Sequence, residues 1–148
     1  MAIKYEGIPF VARFRWSVGE IFDEFLNGLK NAKLLASKCN SCGYTVLPPR
    51  IICPKCSAKM SKENLTELSG RGIVEAYTRV FFKLDGSGNE VWLDKPETLA
   101  MVKFESSNSI LVLPYLDAEI SEGIEVEVVW REERNGSVSD ILGVKRVR

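Results

Sequence analysis

Cys39-Asn-Ser-Cys42-Gly43 and Cys53-Pro-Lys-Cys56 hold all four cysteines of this chain, as two C-x-x-C knuckles set ten residues apart. Each knuckle offers two sulfurs at about 2.3 Å from one ion, and two knuckles complete the tetrahedral shell that zinc takes in structural sites. Gly43 follows the second sulfur, where the chain must turn sharply and glycine tolerates a positive φ. Pro54 presets the backbone inside the second knuckle. The chain has no histidine, so Cys39, Cys42, Cys53 and Cys56 form the one ligand set available for a closed, non-catalytic site. A sulfur tetrahedron also suits iron. Two disulfides would require an oxidising compartment, to which nothing in the sequence points. The spacing favours one structural zinc ion.

Outward from the knuckles, the charge is uneven although it sums to zero over 148 residues. Residues 25–62 carry seven bases (Lys30, Lys33, Lys38, Arg50, Lys55, Lys59, Lys62) and no acid, whereas 1–24 are net −1 and 63–148 net −6. A basic metal segment beside an acidic partner segment is either solubilising or a site for an anionic ligand.

Upstream, residues 1–16 read as an extended aromatic arm. Ser17-Val-Gly-Glu20 has the form of a capping box, with Trp16 and Ile21 as its hydrophobic staple. Val18, Ile21, Phe22, Phe25, Leu26 and Leu29 then recur at helical spacing, predicting a helix over roughly 18–31. Downstream, Ser57 to Asn64 is a polar linker, and beyond it everything reads as β structure. Leu65–Leu68 comes first, and Ser69-Gly-Arg-Gly72 is a bend. Ile73–Phe82, Leu99–Phe104 and Ile110–Leu113 follow as strands, the last ended by Pro114. Ile124–Trp130 alternates apolar with acidic residues, so one face is buried and one wet. Asn135-Gly136 predicts a hairpin turn, with Ile141–Val147 returning. The expected fold is therefore mainly β with an N-terminal helix: an arm and helix over 1–36, a rubredoxin-like zinc ribbon over 37–62, and an OB-fold barrel over 63–148. No apolar run reaches the roughly 18 residues that span a bilayer, and the N-terminus lacks the apolar stretch of a signal peptide. No membrane association is expected, and the expected location is cytoplasmic.

The order of these parts resembles a known family. A helix, C-x-x-C-G, Pro48-Pro49-Arg50, C-P-x-C, a polar linker and Ser69-Gly-Arg-Gly-Ile-Val together resemble the zinc-ribbon/OB-fold proteins of domain-of-unknown-function family 35, from about Val18 to the C-terminus. The resemblance implies an acyl-CoA-associated accessory protein, a partner of a thiolase-like enzyme that does not carry the chemistry alone. Independently, a chain without histidine whose cysteines are all committed to metal cannot assemble a cysteine–histidine or serine–histidine nucleophile. Under this reading an acyl-CoA places its phosphates near Arg50, Lys55 and Lys59, and its apolar end against Phe22 and Phe25. The rival is nucleic-acid binding, common to zinc ribbons and OB barrels. A barrel half at net −6 would repel phosphate, so no nucleic-acid partner is expected.

Overall fold

The computed structural model describes residues 19–147. The expected arm, Ser17 of the capping box and Trp16 of the staple lie outside them. Helix α1 spans Glu20–Lys30, capped by Gly19 rather than by Ser17. Glu20 and Asp23 in its first turn and Lys30 in its last match the helix dipole. Ile21, Phe25, Gly28 and Leu29 form its buried stripe, at the i, i+4, i+7, i+8 spacing of a core-facing helix.

Next come β1 (Leu34–Lys38), β2 (Thr45–Val46) and β3 (Leu65–Leu68), joined as a small antiparallel sheet in the order β2-β1-β3. The segment Leu65–Leu68, expected to open the barrel, instead pairs with β1 from Leu34↔Leu68 to Ser37↔Leu65. A short alternating strand carries no mark of which sheet it will join. The turn at Ser69-Gly70 then delivers the chain to the second sheet.

That second sheet is a closed five-stranded barrel. It comprises β4 (Arg71–Leu84), β5 (Glu90–Phe104), β6 (Ile110–Tyr115), β7 (Glu125–Trp130) and β8 (Ile141–Arg146), in the order β4-β5-β6-β8-β7. β7 pairs back onto β4 at Arg71↔Glu127, and β6 meets β8 in parallel at Tyr115↔Val144. This is the OB-fold connectivity expected from the strand pattern. A register shift at Glu75 bends β4 between Val74 and Ala76, which lets one long strand turn a barrel corner.

Three details differ from the sequence reading. Pro114 does not end β6, since it pairs with Leu99 and the strand continues to Tyr115. β4 and β5 run past the barrel as a hairpin arm around the Asp85–Asn89 loop, where Asp85 accepts the N–H groups of Ser87 and Asn89 at 2.8 and 2.9 Å. Asn135-Gly136 is not a two-residue hairpin but part of a longer loop with a 3₁₀ turn over Val138–Asp140.

Buried Asp140 organises that loop. It accepts from the N–H groups of Asn135 (3.2 Å), Gly136 (2.8 Å) and Ser137 (3.1 Å). The loop also reaches α1, through Arg134 Nε donating to the Lys30 carbonyl at 3.1 Å. Burial pulls the Asp140 carboxyl upward, but the three N–H donors outweigh it and hold it below its usual range. A carboxylate with a depressed folded-state pKa contributes stability above its unfolded value of about 3.9, and that contribution is lost as pH falls through the folded value. Urea unfolding at neutral pH should show a lower midpoint for Asp140→Ala than for the wild type. The gap should close as the pH drops below about 4. A gap that does not change with pH would remove the charge from this account.

One apolar core joins all three parts. Phe25 and Leu29 of α1, Leu34 and Ala36 of β1, and Leu47 and Leu68 pack into the same cluster as barrel residues Val74, Val102, Phe104, Val126 and Val144. Polar contacts reinforce the junction. The Asn108 backbone N–H donates to the Thr45 carbonyl and its Oδ1 accepts from the Thr45 N–H, both at 2.9 Å. Ser109 Oγ accepts from the Leu47 N–H at 3.1 Å. The polar turn between β5 and β6 is therefore the clasp between ribbon and barrel. Among the described residues, no helix is long and apolar enough to cross a membrane.

Candidate metal centre and the groove beside it

The two knuckles are near copies of each other. In the first, the Cys39 N–H donates to the Tyr44 carbonyl and the Gly43 N–H to the Cys39 carbonyl, both at 2.8 Å. In the second, the Cys53 N–H donates to Ala58 and the Ser57 N–H to Cys53, both at 2.9 Å. The residue after each second sulfur takes a positive φ, Gly43 at 73° and Ser57 at 60°. The sequence signals this turn at Gly43 and conceals it at Ser57.

These turns bring the four sulfurs to within 4.8 Å of one another, with Cys39–Cys56 and Cys42–Cys53 each 3.6 Å apart. A tetrahedron with 2.3 Å metal–sulfur bonds has edges of about 3.8 Å, so the cluster fits zinc. Its electrostatics favour a cation. The Cys42 N–H lowers the Cys39 thiol to about 6 against the pull of burial, helped by the Ser41 N–H. Cys56, although drawn down by the Ala58 N–H, is pushed up to about 12 by the Cys42 and Cys39 sulfurs. Four sulfurs this close do not all ionise unaided, and a divalent ion is what stabilises them together as thiolates. Cys39 and Cys53 are buried with Val46 and Met60 in a small cluster of their own, Cys42 is half-buried and Cys56 exposed. The site is one structural zinc centre.

The other residues singled out in the sequence are scattered around it. Arg50, Lys55 and Lys59 are all exposed. Arg50 is braced through its backbone, its N–H donating to Ser37 Oγ at 3.0 Å and its carbonyl accepting from the same hydroxyl at 3.4 Å, which leaves the guanidinium to solvent. Phe22 and Phe25 contact each other at 5.3 Å between ring centroids. Phe25 belongs to the shared core and Phe22 packs on it from the rim. Lys59 lines a groove of about 230 Å³ between α1 and the second knuckle, with Ile21, Ile51 and Met60 as its floor and Lys62 and Glu20 at its edge. Ile21 is the apolar helix residue that lines this groove. The helical period marked it as apolar but could not tell it from Phe22 or Phe25, because a wide stripe faces two surfaces. Lys62 is partly committed, bonded to Glu24 at 3.0 Å. A larger cavity, about 510 Å³, opens on the barrel near Arg79, Thr98 and Tyr115. Both cavities carry both charge signs, but this one lies on the barrel, whereas the ribbon groove lies beside the second knuckle with Lys59 and Lys62 facing the single acid Glu20.

Residues 26–61 match the family described as ChsH2, rubredoxin-like zinc ribbon domain. The chain is 33% identical over 111 residues to a DUF35 domain-containing scaffold protein of Methanothermobacter thermautotrophicus, covering 74% of this chain and 80% of the relative. Its fold is similar to that of a DUF35 protein of unknown function from Sulfolobus solfataricus, with a TM-score of 0.65, 25% identity and 87% of each chain covered. It is also similar to a chain of the Ltp2-ChsH2(DUF35) aldolase, with a TM-score of 0.62, 19% identity, and 89% of this chain and 98% of the other covered. Zinc knuckles, barrel connectivity and these likenesses agree, and the chain belongs to the DUF35 family.

Proposed function

We propose that this chain is a non-catalytic accessory subunit that docks on a thiolase-like acyl-CoA enzyme and offers part of the surface that holds the CoA thioester. The observation that carries the reading is the ribbon groove, with its apolar floor of Ile21, Ile51 and Met60 and its lysine rim. CoA joins phosphates at one end to an apolar thioester arm at the other, and the groove offers both chemistries side by side. Lys55 and Arg50 extend the cationic surface, and a guanidinium matches phosphate geometry better than an ammonium does. Phe25 serves by holding α1 in the core, and Phe22 edges the surface above it. Likeness to a scaffold protein supports an accessory role, and the DUF35 chain in an aldolase complex supports an enzyme as partner. The absence of histidine and the commitment of every cysteine to zinc support a subunit without its own nucleophile.

The test is affinity purification of the partner with the tagged chain, followed by turnover of the reconstituted pair. Lys55→Glu with Lys59→Glu should raise KM for the acyl-CoA about tenfold, the scale of two reversed surface charges. Thermal unfolding should not change, since both side chains are exposed. An unchanged KM reduces the lysines to solvation. Tight single-stranded nucleic-acid binding with a steep salt dependence would favour the rival reading instead.

A further inference from the structure

The β4–β5 hairpin arm leaves the barrel with its apolar side chains uncovered: among the described residues Trp92 is 67%, Leu84 66% and Phe81 51% exposed. A two-stranded ribbon is marginal in water by itself, and a long apolar strand edge invites pairing. Its two edges differ. β5 is guarded, because it carries Pro96, which has no N–H to offer, and because it advances from Trp92 to Glu97 while β4 advances only from Val80 to Phe82. β4 has its bulge earlier, at Glu75, and no such interruption from Ala76 to Leu84. It is paired with β7 only over Arg71–Ile73, has no proline, and from Ala76 to Leu84 shows no backbone partner on its outer edge among the described residues.

We propose that this edge is completed by a second copy of the chain, with β4 pairing antiparallel to its counterpart across a two-fold axis at Val80. The sequence of the edge is self-complementary in that register. On one face Tyr77-x-Arg79-x-Phe81-x-Lys83 alternates aromatic and cation, so Arg79 meets Phe81 twice as a cation over a ring, while Tyr77 meets Lys83, whose ammonium is already held by Glu97 at 2.7 Å. On the other face Ala76 meets Leu84, Thr78 meets Phe82 and Val80 meets itself. Shifting by two residues, which preserves the faces, sets Arg79 against Arg79 or against Lys83. Charge therefore selects the register. On the pairing strand itself Tyr77, Phe81, Phe82 and Leu84, between 39% and 66% exposed, present about 400 Å² per copy at roughly 200 Å² for each large side chain. Both copies together offer about 800 Å² of side chain besides the backbone edge, the size of a weak, concentration-dependent interface.

The experiment is sedimentation equilibrium on the zinc-loaded full chain. The expected mass is twice the chain's 16.6 kDa. Phe81→Arg sets Arg79 against a second arginine and should weaken self-association about 100-fold, with circular dichroism and thermal unfolding of the monomer unchanged. Adding Arg79→Phe swaps the pair, restores an arginine opposite a phenylalanine, and should restore the dimer. A wild-type monomer at millimolar concentration overturns the proposal, whether the edge is then covered by an enzyme or by the chain's own N-terminal residues. A dimer indifferent to Phe81→Arg, or a double swap that fails to rescue, overturns it equally.

Discussion

Cys39→Ser should cost the chain its cooperative fold, not only its ribbon. Zinc binding in small modules is worth on the order of 10 kcal/mol, against a total stability of about 5–15 kcal/mol for a domain. Considered from the knuckles alone, the loss would stop at the linker and leave the barrel intact. The shared core makes that outcome untenable. Leu34, Ala36 and Leu47 sit in one cluster with Val102, Phe104 and Val126, and Asn108 and Ser109 bond directly to the backbone of Thr45 and Leu47. Releasing the metal frees Leu47 and the Thr45–Val46 strand, uncovering that end of the core to water. Near-ultraviolet circular dichroism should show tertiary signal lost throughout the Cys39→Ser chain, and chelation of the wild type should do the same. Wild-type protein purified without stoichiometric zinc, or a variant that melts like the wild type, would falsify the assignment. A barrel melting independently of the ribbon would show that the common core is not cooperative.

Gly143→Ala should be the most damaging single-methyl change in the barrel. A Cβ at Gly143, where φ is 156°, would lie 2.2 Å from the Pro114 carbonyl oxygen and 3.2 Å from Leu116 Cδ2. The obstruction is backbone, and it lies where the barrel is narrowest in bonding. β6 and β8 meet at the single pair Tyr115↔Val144, supplemented by the Leu116 N–H donating to the Val144 carbonyl at 2.9 Å. Moving Pro114 aside breaks that contact, so overpacking and lost closure act together. A destabilisation of about 3 kcal/mol or more is expected, with a drop of about 10 °C in Tm. Gly86→Ala is the control: nothing lies within 4 Å of its added carbon, and its effect should remain within about 0.5 kcal/mol. Similar melting of the two variants would remove the steric argument.

The sequence displayed the metal site almost in full, because ligand spacing is local chemistry and four sulfurs within eighteen residues allow few arrangements. Barrel strands were visible for a similar reason: alternation in Ile124–Trp130 records burial on one side. Connections between parts left no such mark. Asn108 and Ser109 look like any polar turn until their donors and acceptors are seen opposite β2. Leu65–Leu68 reads the same whether it joins β1 or β4. Pro114 reads as a stop, yet the strand continues through it opposite Leu99 to Tyr115. The two phenylalanines of α1 stood out by size, while Ile21 is the residue at the groove. Hydrophobic periodicity identifies what is apolar, and only packing decides which apolar residue meets which neighbour.

The four sulfurs are equivalent to the metal but not to solvent. Cys39 and Cys53 are buried, whereas Cys56 is exposed between Lys55 and Ser57. An oxidant or alkylating agent reaches Cys56 first, and converting that thiolate to a sulfenic acid removes one zinc ligand from the outside. Damage therefore enters through the second knuckle, the side that also carries Lys55, Lys59 and the groove. The exposed sulfur is thus the one through which the whole centre is lost.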